Sequence, residues 1–243
     1  MPNGHRIKPP PHTHCTECPV RKLAWFEPGE EDALERREAL RTTQYVVPAK
    51  QPVYQEGDAP REVYTLQSGW VIQYKMLENA HRQVLNVALP GDLLAFRPDL
   101  ATPLDHAALT ATEVTLCVFN EHSIHQLLNE FPELTHRLFE IQSAQAAQCR
   151  RRLSYVGQAP ARQRIAMFLL DLIERLSVRG VDISQSISFP LNHEDIADAV
   201  GITPVHLSRI SSEMRSLGIV DCRYNKLTVR DIARLQSLAH AGI

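Results

Sequence analysis

At 243 residues the chain suits one or two domains, and 44% hydrophobic content suffices to build a core in each. A formal charge of −2 excludes a uniformly basic surface, so any contact with nucleic acid has to come from local charge. The longest apolar-rich stretch, IAMFLLDLI, is interrupted by Asp171, and the N-terminus is rich in proline and histidine. No membrane span or signal peptide is therefore expected, and the protein is expected in the cytoplasm with no membrane partner.

Residues 1–12 carry Pro2, Pro9, Pro10 and Pro11 and read as a flexible arm, with order beginning near His14. A charged helical segment around Glu30 to Arg41, with Glu35, Arg36, Arg37 and Glu38 in a row, reads as a solvated face. From Thr43 to Phe119 come short β-type runs (QYVVPA, VYTLQ, WVIQYKML, RQVLNVAL, EVTLCVF) separated by turns at Glu56-Gly57-Asp58, Ser68-Gly69 and Pro90-Gly91-Asp92. Such spacing predicts a jelly-roll-like antiparallel barrel whose interior could hold a ligand.

Pro132 opens a long helix to about Val156, on which Leu134, Leu138, Ile141, Gln145, Cys149, Leu153 and Val156 recur every three or four residues. That stripe fits a helix pairing with its own copy across a two-fold axis; packing on the β-domain is the alternative. Gly157-Gln158-Ala159-Pro160 breaks it, and a second amphipathic helix ends at Gly180. The fold class is α+β: an arm and β-roll over 1–131, a dimerisation helix over 132–156 and a C-terminal domain over 157–243.

In that last domain Asn192 and Asp195 form a capping-box pair, with Leu191 and Ile196 as a hydrophobic staple, and Gly201 ends the first short helix. Thr203 caps a second, with Pro204 at its first position. Leu207, Ile210, Met214 and Leu217 are expected to face inward, leaving Val205, Ser208, Arg209, Ser212 and Ser216 outward. Such a face suits the DNA major groove, where an arginine binds guanine O6 and N7 with two bonds, and Arg209 is the residue expected to do so. A hairpin with a Tyr224–Asn225 turn follows, offering Arg223, Lys226 and Arg230 to phosphates. Between Ile202 and Arg230 there are five basic residues and two acidic ones, so positive charge concentrates where DNA would lie.

This order, a β-roll with LPGDLLAF, a long helix, then a winged helix-turn-helix containing TPVHLSR, resembles the Crp/Fnr family of bacterial transcription regulators over nearly the whole chain. It stands closer to the Fnr/FixK-like branch than to cyclic-AMP-binding Crp. The resemblance implies a cyclic-nucleotide-binding-like β-roll as sensor, a homodimer, a palindromic double-stranded DNA operator and RNA polymerase as a further partner. It places Ser208 and Arg209 at base contacts and Thr203 near the backbone, with His206, Ser212, Arg223 and Lys226 completing the expected DNA face. Val205 departs from the glutamate of Crp and Fnr and offers only apolar contact, for instance to a thymine methyl.

Cyclic AMP is not expected, because the segment after Pro90-Gly91-Asp92 lacks the Gly-Glu pair and the phosphate-binding arginine of nucleotide-binding members, and only Arg97 is nearby. The Fnr branch holds an iron–sulfur cluster on four cysteines. Cys15 and Cys18 match the first two and Cys117 the last, but Ala24 stands at the third. The cofactor is thus open: an iron–sulfur cluster or other metal, with His12 or His14 of HTHC as a weak further ligand; thiol redox switching; or no cysteine-based sensing. Cys149 on the helix stripe would meet its own copy, and Cys222 reads as a packing residue. An enzyme is not expected, since no cysteine sits in a nucleophile elbow or beside an orienting acid–base pair.

Overall fold

A computed structural model describes residues 13–25 and 31–240; the arm expected over 1–12 lies outside them. Two short helical turns, Cys15–Glu17 and Arg21–Leu23, precede α1 (Glu31–Ala39). Eight strands follow: β1 (Thr43–Val47), β2 (Pro52–Tyr54), β3 (Glu62–Ser68), β4 (Val71–Met76), β5 (Arg82–Ala88), β6 (Leu93–Leu94), β7 (Ala107–Thr110) and β8 (Val114–Asn120). They form two antiparallel four-stranded sheets, ordered β1-β8-β3-β6 and β2-β7-β4-β5, as the alternating pattern requires for a β-roll.

One core cluster, with Tyr54, Leu66, Val71, Ala88, Leu94, Ala108 and Leu116, draws on strands of both sheets; a second gathers Trp25, Val63, Cys117, Phe119, Leu127 and Leu134 beneath the helices. Two turn glycines are obligatory. A Cβ at Gly69 (φ +83°) would lie 2.3 Å from the Glu113 carbonyl oxygen, and one at Gly91 (φ +97°) 2.7 Å from Leu23 Cβ, so the bare Gly91 lets the cysteine-bearing segment lie on the roll.

The helices are α2 (Glu121–Glu130), α3 (Pro132–Gln158) and α4 (Ala161–Val178). Then come β9 (Ile187–Ser188), α5 (His193–Val200), α6 (Pro204–Ser216), β10 (Val220–Arg223), β11 (Lys226–Val229) and α7 (Ile232–His240). The expected wing is a three-stranded sheet, β10-β11-β9, rather than a hairpin alone. The chain divides into two compact units, one of residues up to 75 with 85–145, the other of 76–84 with 146 onward, so the division falls within α3.

Candidate nucleic-acid interface and thiol pocket

The helix-turn-helix is built from local chemistry. The Asp195 N–H donates to Asn192 Oδ1 at 2.9 Å and the Asn192 N–H to Asp195 Oδ2 at 3.0 Å, closing the capping box. Gly201 takes the left-handed conformation at φ +65°, and Arg164 Nη1 donates to the carbonyls of Val200 and Gly201 at 2.8 and 3.1 Å, satisfying the end of α5. Thr203 Oγ1 accepts from the His206 N–H, starting α6 immediately.

On α6, Leu207, Ile210 and Met214 are buried, while Val205 is 81% exposed and Thr203, Ser208, Arg209, Ser212 and Ser216 are exposed beside a half-buried His206. Leu217, expected inward, is 44% exposed, because it caps the helix after the inward stripe has ended. Glu213 is ion-paired to Arg162, which removes its repulsion for phosphate. Arg209 makes no hydrogen bond or ion pair among the described residues, so its fork of donors is available. Lys226 is likewise unengaged. Arg223 differs from expectation: its Nε and Nη2 donate to Asp221 at 2.9 and 2.8 Å, and this pairing holds the Asp221 carboxyl below its usual range. Its guanidinium masks a neighbouring carboxylate while its Nη1 donors stay on an exposed side chain.

In the other unit, Cys15, Cys18 and Cys117 line one pocket with Val20, Arg21, Ala24, Arg41, Thr65, Gln67 and Phe119. The residues that organise it come from the segment expected to be a solvated face. Arg41, its side chain only 2% exposed, donates from Nη1 to the Thr13 carbonyl at 3.0 Å and lies 3.9 Å from both Cys15 Sγ and Cys117 Sγ. Its Nη2 donates to Glu38 at 3.3 Å, Glu38 accepts from the Cys15 N–H at 2.8 Å, and Gln44 Nε2 donates to Cys117 Sγ at 3.3 Å. Burial pushes the Cys15 thiol up to about 12, partly opposed by Arg41, and also raises Cys18. His14 Nδ1 is engaged with Glu38 at 3.0 Å. Among the described residues no three His, Cys, Asp or Glu side chains are grouped closely enough to hold a metal ion. The charge run hid this arrangement from sequence reading: Arg37 and Arg41 point into the protein and Arg36 does not.

The stripe on α3 also needs correction. Leu134 and Leu138 are 0% and 5% exposed within the chain's own core, with Ile141 packed against it. The large apolar side chains left uncovered are Phe139, 70% exposed, and Leu153, 73% exposed. With Gln142, Ala146 and Cys149 they repeat at intervals of three, four, three and four, the spacing of a coiled-coil seam, on an exposed face that shares Cys149 and Leu153 with the predicted stripe. Gln145 and Val156 are half-buried at its edge.

Residues 45–131 match the family model described as the cyclic nucleotide-binding domain, and residues 163–238 that of the Crp-like helix-turn-helix domain. Over 242 residues, 99% of this chain and 96% of the relative, the sequence is 29% identical to the nitrogen fixation regulation protein FixK of Bradyrhizobium diazoefficiens. The chain belongs to the Crp/Fnr family. Within it the chain sides with the FixK/Fnr branch: it is 27% identical to the transcriptional activatory protein AadR of Rhodopseudomonas palustris over 93% of both chains. It is 22% identical to the anaerobic regulatory protein of Haemophilus influenzae over 93% of this chain and 87% of that one. The solved structure of FixK2 from Bradyrhizobium japonicum shares the fold, with a TM-score of 0.74 over 83% of this chain and 98% of that one at 22% identity. Crp/Fnr proteins are DNA-binding transcription regulators, not enzymes. No helix among the described residues is long and apolar enough to cross a membrane.

The four-thiolate cluster of the Fnr branch does not fit: Ala24 lines the pocket in place of a third N-terminal cysteine, and a guanidinium nitrogen lies 3.9 Å from two of the remaining sulfurs. The cavity volume is about 30 Å³. For a cyclic phosphate the nearby cation is Arg97, but its donors are held by the carbonyls of Ala95, Leu100, Thr102 and Pro60 at 2.6–2.7 Å. Tyr54, Gln73 and Asn86 of the β2-β7-β4-β5 sheet and His106, just before β7, are hydrogen-bonded to one another at 2.9–3.1 Å.

Proposed function

We propose that this Crp/Fnr chain is a homodimeric, cytoplasmic regulator that reads a palindromic operator through α6 and acts with RNA polymerase. The observation that carries this reading is the unengaged Arg209 on an exposed helix face whose inward residues, caps and acidic neighbour are all satisfied. The seam from Phe139 to Leu153 supports pairing of two copies, which would set two α6 helices about one DNA turn, roughly 34 Å, apart. Selection of bound duplexes from a random pool tests it. Enrichment of two inverted half-sites is expected, and no enrichment would overturn it.

The signal is read at the thiol pocket, as redox or oxygen status rather than cyclic AMP. What supports this is the convergence of Cys15, Cys18 and Cys117 on one cavity, together with relatives named as anaerobic regulatory proteins. A second reading is favoured by Arg41 and the elevated Cys15 thiol: a regulator without cysteine-based sensing, governed by another small ligand or by its own abundance. Operator affinity of a variant with all three cysteines replaced by serine, measured reduced and oxidised, separates them. The first reading requires a redox-dependent difference in the parent that the variant loses.

A further inference from the structure

The wing tip carries an exposed aromatic ring that the reading of α6 does not use. Tyr224 is 86% exposed, and it and Asn225 adopt left-handed conformations at φ +54° and +56°. Both values are those of a type I′ hairpin turn, in which asparagine is common and a bulky aromatic residue is strained. The strain is held by a rigid frame. Arg223 pairs with Lys226 across the turn, and the Asn225 carbonyl accepts from the Phe189 N–H at 2.8 Å, tying the tip to the third strand of the wing. Arg223, gripped by Asp221, lies over the Tyr224 ring at 5.5 Å, so one face of the ring is braced and its edge and hydroxyl are presented to solvent. A costly conformation that exposes a large ring, when asparagine would fit the turn better, points to a contact made by the ring.

We infer that Tyr224 packs against the sugar–phosphate backbone flanking each operator half-site, with its hydroxyl donating to a phosphate. The occupant is duplex DNA because the tip is continuous with the face already assigned to it: Lys226, unengaged and cationic, stands directly across the turn. A neutral, ring-based contact adds affinity without sequence information and without counterion release, unlike Lys226. The inference rests on the DNA-binding reading of α6.

Its test is a fluorescence titration of parent, Tyr224→Ala, Tyr224→Phe, Lys226→Ala and Arg209→Ala on the selected operator and on unrelated duplex, over a range of salt. Tyr224→Ala is expected to weaken binding about three- to tenfold on both duplexes with an unchanged salt slope, and Tyr224→Phe to recover part of the loss. Lys226→Ala is expected to reduce the slope by about one. Tyr224→Asn is expected to raise the unfolding temperature while weakening DNA binding. Binding by Tyr224→Ala within twofold of the parent, while Arg209→Ala is impaired, would overturn this inference alone. A parent that binds no duplex would overturn the reading beneath it as well.

Discussion

The guanidinium of Arg41 stands 3.9 Å from the sulfur of Cys117, with Cys15 at the same distance on the same nitrogen. Three further contacts, to Thr13, Glu38 and, through Glu38, the Cys15 N–H, make this buried cation the clasp that holds the cysteine segment on the β-roll. Removing one partner of a buried charged network leaves the others unsatisfied. Arg41→Met is therefore expected to cost about 3 kcal/mol of stability and to expose Cys15 to alkylating reagents. Chemical denaturation and mass-spectrometric labelling read both effects; unchanged labelling would show that the segment is held by other means.

Burial raises the Cys15 thiol from 9.0 to about 12, so the folded chain keeps a proton that the unfolded chain releases. The stability this group contributes is intact below pH 9 and is lost as pH rises toward 12. At pH 8 Cys15 should be alkylated by iodoacetamide much more slowly than an ordinary thiol, because far less of it is thiolate. Peptide-resolved labelling rates check this.

The two apolar faces of α3 predict opposite outcomes. Leu153→Asp is expected to give folded monomers, because a charge is placed on an exposed seam. Leu138→Ala is expected to destabilise the fold by roughly 2–5 kcal/mol without a specific effect on association, because Leu138 lies in the chain's own core. Sedimentation analysis paired with thermal unfolding distinguishes them. A Leu153→Asp dimer would move the interface elsewhere.

Asn192→Ala removes the side chain that accepts from the Asp195 N–H and should cost about 1 kcal/mol. Restoration by Ser or Asp, but not by Leu, would mark the loss as one of capping. Thermal unfolding of the parent and the four variants is sufficient.

Sequence reading succeeded where structure is decided within a few residues. Asn192 with Asp195, Gly201, and Thr203 with Pro204 fix both helices of the DNA-binding motif by contacts three or four positions apart. It failed where partners are distant. The i, i+3, i+4 stripe of Leu134 and Leu138 is the same whether the helix packs on its own core or on a second copy, and periodicity does not name the partner. Arg41 meets Cys15 across 26 positions and Cys117 across 76, so a charge run that looked solvated hid the organiser of the pocket. Helix α2 was missed although Asn120 caps it by accepting from the Ser123 N–H, because the strand signal ran up to the cap. The short strands β2, β6, β7 and β9, two to four residues each, carry too few residues for an alternation to be read.

The proposed function depends on base reading by Arg209 of α6. The measurement that tests it most directly is the affinity of the parent and of Arg209→Ala for the selected palindrome and for the same palindrome with single guanines replaced. Arg209→Ala is expected to lose about 1–3 kcal/mol on the intact operator and no longer to distinguish one particular guanine position in each half-site. Equal affinity of the two proteins, with the guanine preference unchanged, would contradict it.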